Sequence, residues 1–496
     1  MIESPVDILT STPPRPARDA LTWEDEGGGA ESAPRLVSLY APAPGLNALS
    51  FLAGAAGLER FYWAEPAGGL TVVGAGVAAE VIAPPALGEG EAGPLAVDRF
   101  EIVDARARRL FDGAILRPAT GQTPDAPAAE RLARPRLLGG FAFQDDFVPD
   151  NTWSVFSPAH FVLPHYQLAQ WGDATFLTIN ALIGPDEPLA ESLAALREAL
   201  DARLALPVAV APARPLERPW LRYPLSAGEW RAMVERATDL IHAGELDKVV
   251  LARVCEVRAD EPIDAAMALE FLNSHYGDSY RFLFEPQPGH AFFGATPELL
   301  VEKTGGGMRT MALAGSIGRG RTGAQDDTLA AQLLASTKDR HEHLLVSDAI
   351  RHSLAPLTHD IAVAAEPTVL RLRNIQHLLT PISARLDDAE AGILPLARAL
   401  HPTPAMGGAP RERALALLRH LEPVPRGWYA APIGWLDSAG DGVFAVAIRS
   451  AVTQHNRAWL YAGAGIVGDS QPEREWAETA LKFRPMLGAL GVEETA

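Results

Sequence analysis

The chain has 496 residues, 48% of them hydrophobic and 21% charged, a balance that fits a folded protein and excludes an intrinsically disordered one. Its formal net charge of −19 argues against nonspecific binding to nucleic acid or to an anionic membrane surface, since both require a basic face. The single cysteine, Cys255, excludes an intramolecular disulfide framework, and no apolar run reaches the roughly 18 residues that span a bilayer. The N-terminus has neither the basic start nor the apolar core of a secretory signal, so the expectation is a cytoplasmic protein.

In chain order, Pro14 to Gly29 reads as a frayed lead-in and Gly69 to Val81 as strand. Pro118 to Pro135 reads as a surface loop, and Phe161 to Ala181 again as strand. The proline-rich stretch Pro207 to Pro219 is the best linker candidate, because its prolines prevent continuous helix or central strand. It places a soft boundary near residue 216, between a part without catalytic motif (1–215) and a part that carries all the chemistry below (216–496). Length alone suggests about three domains.

Beyond the boundary a helix is predicted from Ser226, with Glu229 three residues on as its capping-box partner and Gly244 as its stop. Trp230, Met233, Val234, Ala237 and Ile241 follow at helical spacing. The β-branched segment from Lys248 to Val257 predicts a strand, on which Lys248 shares a face with Val250, Ala252 and Val254. A lysine on a mostly apolar face is either an edge-strand residue with its ammonium in water or a functional group.

Asp326 to Leu354 reads as one long helix that carries Asp339 and Glu342. The last helix is predicted to open at Ser470 with Glu473 as its capping partner, followed by Glu475, Glu478 and Lys482. Each acid pair is spaced to lie on one helix face. Taken singly, each is an ordinary solvated face. Two such pairs brought together would form a hard, all-oxygen site suited to Mg²⁺. In so acidic a chain, an anionic ligand also needs local cations, from basic side chains or a metal.

Nine segments, in order, resemble the chorismate-utilising enzymes, a family that includes isochorismate synthase, salicylate synthase, anthranilate synthase component I and aminodeoxychorismate synthase. They are DKVVLAR at 247, FFGATPELL at 292, MALAGSIGRGR at 311, KDRHEH at 338, NIQHLLTPI at 374, HPTPAMGG at 401, RGWYAAPIGW at 426, FAVAIRSA at 444 and YAGAGIVGDSQPEREWAETALKF at 461. The resemblance implies a large α+β fold, a two-layered antiparallel β-sheet core flanked by helices, in which the boundary near 216 marks a change of layer within one unit.

The same resemblance implies roles for named residues. Glu342 and Glu478 match direct Mg²⁺ ligands, and Asp339 and Glu475 match acids that reach the metal through water; Asp339 stands where several relatives have Glu. Arg449 matches an arginine that grips the enolpyruvyl carboxylate of chorismate, which a planar guanidinium can do with two parallel hydrogen bonds, and Tyr429 lies beside it. Lys482 and the backbone of Gly463 and Gly465 match further substrate contacts, and Gly315, Ser316 and His377 match the lining of the ring pocket.

Lys248 matches the family's general base and Glu298 its general acid. A base must reach its neutral form and an acid must keep its proton, and burial has the right sign for both. Without the resemblance, Glu298 would read as a helix-start acid after Pro297. The ammonia-using relatives generally lack the lysine and carry a Pro-x-Gly-Thr block where this chain has His401 to Ala405. Lys248 and Ala405 therefore favour water as nucleophile and isochorismate as product. Salicylate synthase is the alternative: it keeps the lysine, shares Tyr429 and tends to have Thr in place of Ala405. An ammonia-using synthase subunit is a more distant one. No obligatory partner subunit is expected.

Overall fold

A computed structural model of the protein describes residues 33–85, 98–119, 126–206 and 219–492. The lead-in and all of the expected linker except Pro219 lie outside these residues. Twenty-one described strands hydrogen-bond into one network, antiparallel throughout except where Arg35–Pro42 runs parallel to Ile115–Pro118. Starting from Lys248–Arg258, the order runs through Arg457–Ile466, Ser450–Gln454, His290–Thr296, Tyr280–Gln287, Arg60–Ala64 and Thr71–Ala83. It continues through Ala159–Trp171, Arg136–Phe141, Pro432–Asp437, Gly442–Val446, Leu299–Thr304, Gly307–Gly318 and Ile375–Leu386.

The two halves of this order share one apolar core. Phe284, Phe292 and Tyr461 of the first half and Leu138, Trp435 and Ala445 of the second belong to a single buried cluster, with Trp153, Phe156 and Trp428 among them. Strands packed on both faces read as nearly continuous apolar runs, which is why Lys248–Arg258 is buried from Lys248 to Val257. Helices cover the outer faces. Ala265–His275 and Pro472–Ala489 bring Leu269, Leu272, Phe483 and Met486 onto Cys255 and Val257. Arg99–Phe111, Thr337–Leu354 and Leu394–Leu400 bring Phe100, Val346 and Leu396 onto Leu300 and Phe444.

This is the expected α+β architecture. Strands from either side of residue 216 pair directly, Arg60–Ala64 with Tyr280–Gln287 and Arg136–Phe141 with Pro432–Asp437. No helix among the described residues is long and apolar enough to cross a membrane.

Local expectations hold in part. The helix Ala227–His242 has the Ser226–Glu229 capping box, and Gly244 follows it at φ 74. The long helix expected from Asp326 to Leu354 is two helices, Gly323–Ala335 and Thr337–Leu354. Ser336 breaks it: the residue is extended, and its side chain accepts from the Asp339 N–H to cap the second helix. The last helix begins at Pro472 and has no side-chain cap. A proline at the first helical position lacks the N–H that a cap would serve. Ser470 accepts from the Val467 N–H instead, and Glu473 pairs with Arg231 at 2.5 Å. Part of the expected 118–135 loop is the helix Ala126–Ala133. Glu298 starts no helix; it lies between the strands His290–Thr296 and Leu299–Thr304.

Candidate active site

A cavity of about 530 Å³ opens between the strand that begins at Lys248, the helix Thr337–Leu354 and the helix Pro472–Ala489. The structure brings every site residue named from the sequence to its wall: Lys248 and Glu298; Asp339, Glu342, Glu475 and Glu478; Arg449, Tyr429 and Lys482; Gly315, Ser316 and His377; Ala405, Gly463 and Gly465.

The lysines and acids meet in pairs. Lys248 is fully buried, not at an edge, and its Nζ lies 2.7 Å from Glu342 Oε1. Lys482 Nζ lies 2.6 Å from Glu478 Oε1 and donates to the Gly463 carbonyl at 2.8 Å. Gly465 makes the first pair possible, because a Cβ there would sit 2.9 Å from Glu342 Oε1 and 3.0 Å from Lys248 Cε. Gly315, at φ 77, bulges its strand against the Asp339 side chain, where a Cβ would come within 3.1 Å.

Charge is distributed unevenly over the four acids. Burial raises the Glu342 carboxyl, but the nearby ammonium groups of Lys248, Lys482 and Lys338 outweigh it and hold it below the usual range. Burial and the neighbouring Glu478 raise Glu475 to about 7. Burial, with repulsion from Glu342 and Glu478, also raises Asp339, against the pull of the Ser336 hydroxyl. Among the described residues, no three acids, histidines or cysteines stand close enough to hold an ion as they are. Lysines hold Glu342 and Glu478 instead. The donor set nevertheless fits a hard cation: it is all carboxylate oxygen, and it holds more negative charge than burial tolerates.

On another part of the wall Glu298 is 4% exposed, and burial pushes its carboxyl up to about 8 against the pull of Lys248, Lys482 and Arg449. Glu298 is therefore a protonated acid at neutral pH. Arg449 is buried and adopts φ 51, a conformation sparsely populated by residues other than glycine, between the strands that end at Val446 and begin at Ser450. Its Nη2 lies 3.5 Å from His377 Nε2. A guanidinium only donates, so His377 Nε2 is the acceptor and Nδ1 carries the proton, directed at the Gly315 carbonyl (3.2 Å) and the Ser316 hydroxyl (2.9 Å). Burial and the positive charge of Arg449 keep this imidazole neutral. Tyr429 is a neutral phenol, pushed up to about 12 by burial, and stacks on Tyr461 with ring centroids 5.1 Å apart.

Sequence reasoning did not single out three further wall residues, Lys338, Arg474 and Tyr461. All three lie inside segments that match the family, but a charged residue in the first turn of a helix, as Lys338 and Arg474 are, carries no mark that it borders a cavity. Lys338 Nζ is 3.9 Å from Glu475 Oε1.

The family model described as chorismate binding enzyme matches residues 24–491. The isochorismate synthase MenF of Bacillus subtilis is 34% identical over 442 residues, which cover 88% of each chain. The salicylate biosynthesis isochorismate synthase of Pseudomonas aeruginosa is 42% identical over 360 residues, covering 72% of this chain and 74% of the relative. The structure of the menaquinone-specific isochorismate synthase MenF of Escherichia coli superposes with a TM-score of 0.75 at 26% identity, covering 93% of this chain and 95% of that one. With a family match over residues 24–491 and a relative 34% identical over 88% of each chain, the chain belongs to the chorismate binding enzymes.

Proposed function

We propose that this protein is an isochorismate synthase, an isomerase that converts chorismate to isochorismate. The observation that carries this reading is that a buried lysine, Lys248, and a buried carboxyl, Glu298, pushed up to about 8, share one cavity with a buried arginine, Arg449. In its neutral form Lys248 takes a proton from a water that adds at ring carbon 2. The ring double bond shifts, the bond from carbon 4 to its hydroxyl breaks, and Glu298 gives its proton to the departing oxygen, which leaves as water. The two groups regain their starting protonation through solvent. Arg449 and Lys482 receive the substrate carboxylates, neutral His377 and Ser316 line the ring, and Tyr429 closes the wall.

Glu342 and Glu478, with Asp339 and Glu475 further out, would hold Mg²⁺, which when bound supplies positive charge to a substrate carboxylate. Chorismate is a dianion in a chain of strongly negative net charge, so the local cations set its position. The pairing of strands across residue 216 supports one structural unit in which 1–215 buttresses 216–496. We place the reaction in the cytoplasm and its product, from the likeness over 93% of this chain to the menaquinone-specific enzyme, in menaquinone synthesis. The test is to incubate the pure protein with chorismate and Mg²⁺ and identify products by mass. Isochorismate is expected as the main product, with turnover abolished by EDTA and restored by Mg²⁺. Salicylate as the main product would move the chain to the lyase-active relatives.

A further inference from the structure

Arg253 lies five residues along the strand from Lys248, and no acid among the described residues pairs with its buried guanidinium. The residue is 4% exposed, and no carboxylate is among the groups that favour its charge. Burial pulls it down to about 10, so it remains a cation at neutral pH. Its Nη1 finds no hydrogen-bond partner among the described residues. A buried, unpaired cation destabilises a fold, and departures of this kind collect where function requires them.

Besides the Tyr223 ring, 5.5 Å from its Cζ, the groups that Arg253 holds are on the last helix. Its Nε donates to Thr479 Oγ1 at 2.7 Å, and its Nη2 donates to the Trp476 carbonyl at 3.1 Å. Its Cζ lies 3.6 Å from the centre of the Trp476 ring and 5.1 Å from that of Phe483. Trp476, Thr479 and Phe483 directly follow Glu475, Glu478 and Lys482. A helix turns about 100° per residue, so the gripped stripe runs beside the stripe that enters the cavity. The strand that carries Lys248 at its start therefore holds, through Arg253, the helix that supplies the other acid pair.

We propose that Arg253 is a positioning residue that fixes the rotation of the last helix, so that Glu475, Glu478 and Lys482 are presented to the cavity at the right depth. A carboxylate about 6 Å from a helix axis moves roughly 2 Å when the helix turns by 20°, whereas a functional site tolerates about 0.5 Å. The Thr479 hydroxyl, which also donates to the Trp476 carbonyl at 2.8 Å, completes the grip. The inference rests on the functional reading above for what those three residues hold.

The test uses the full chain with Arg253→Met, which keeps bulk and removes the cation, and Thr479→Val, which keeps shape and removes the hydroxyl with both of its hydrogen bonds. Chorismate binding is followed calorimetrically as a function of Mg²⁺, and thermal unfolding is measured without Mg²⁺ or substrate. Arg253→Met is expected to unfold cooperatively near the wild-type temperature yet need about tenfold or more Mg²⁺ for half-maximal chorismate binding, and Thr479→Val about threefold more. Half-saturation within twofold of wild type in both variants would overturn the inference. Should Arg253→Met fail to fold, Thr479→Val decides by the same threshold. A wild type that binds no chorismate with Mg²⁺ present would overturn the functional reading and this inference with it; a normal wild type with unshifted variants overturns this inference alone.

Discussion

Lys248 Nζ lies 2.7 Å from Glu342 Oε1, in an ion pair whose side chains are 1% and 14% exposed. Removing the carboxylate strands an ammonium in the core, whereas removing the ammonium leaves Glu342 near Lys482 and Lys338. Without Mg²⁺ or substrate, Glu342→Gln should therefore cost about 2 kcal/mol of stability, and Lys248→Met distinctly less. The double variant should recover part of the loss. Urea denaturation checks all three, and a Glu342→Gln protein as stable as wild type would show that the pair is not formed in solution.

The Glu298 carboxyl, raised to about 8 from an ordinary value of 4.5, makes two pH predictions. The folded state holds this proton more tightly than the unfolded chain. Its contribution to stability is therefore full below about pH 4.5, falls as pH rises toward 8, and is constant beyond. Relative to wild type, Glu298→Gln should become progressively more stable across that window. In catalysis, kcat/KM of the wild type should fall above about pH 8 as the acid ionises. Glu298→Gln should remove this limb and roughly two orders of magnitude of rate.

Gly465 faces the Lys248–Glu342 pair at distances that leave no room for a methyl group, whereas a Cβ at Gly463 would come no closer than 3.2 Å, to the Leu251 carbonyl and the Tyr429 hydroxyl. Gly465→Ala should fold, with an unchanged circular dichroism spectrum, and lose activity by about tenfold or more. Gly463→Ala should be the milder of the two. Equal, small effects on kcat/KM would mean that the pair has slack.

Arg449→Lys keeps the charge and loses the planar fork. The backbone at φ 51 strains both residues equally, so the difference reads the side chain alone. A loss of about tenfold or more in kcat/KM is expected, and unchanged kinetics would mean that Arg449 does not touch a carboxylate.

Much of this was legible in the sequence where one residue's chemistry is set by its neighbours in the chain. The Ser226–Glu229 box and the strand from Lys248 are local patterns, and both are present. The helix break was not legible, because no proline or glycine stands between Ala335 and Leu354 and the break is made by one side chain turning back to the Asp339 N–H. That turn nevertheless puts Asp339 and Glu342 at the start of a helix aimed at the cavity. At Ser470 the serine pattern was present, but Pro472 changed which group needed a cap. The site residues were named from an ordered set of segments, and segments do not report partners. That Lys248 lies on Glu342, 94 positions away, and Arg253 on Thr479, 226 away, is a property of the packed layers.

The most direct measurement of the central claim is the product formed from chorismate and Mg²⁺, with and without added ammonium salts, by wild type and by Lys248→Ala. The account predicts isochorismate from the wild type and no anthranilate or aminodeoxychorismate even with ammonium present, since Lys248 directs water and Ala405 stands in place of the ammonia enzymes' threonine. Lys248→Ala should still bind chorismate, whose carboxylates are held elsewhere, while isochorismate formation falls by roughly two orders of magnitude or more. Amino-substituted product from the wild type, or isochorismate at a near-normal rate from Lys248→Ala, would contradict it.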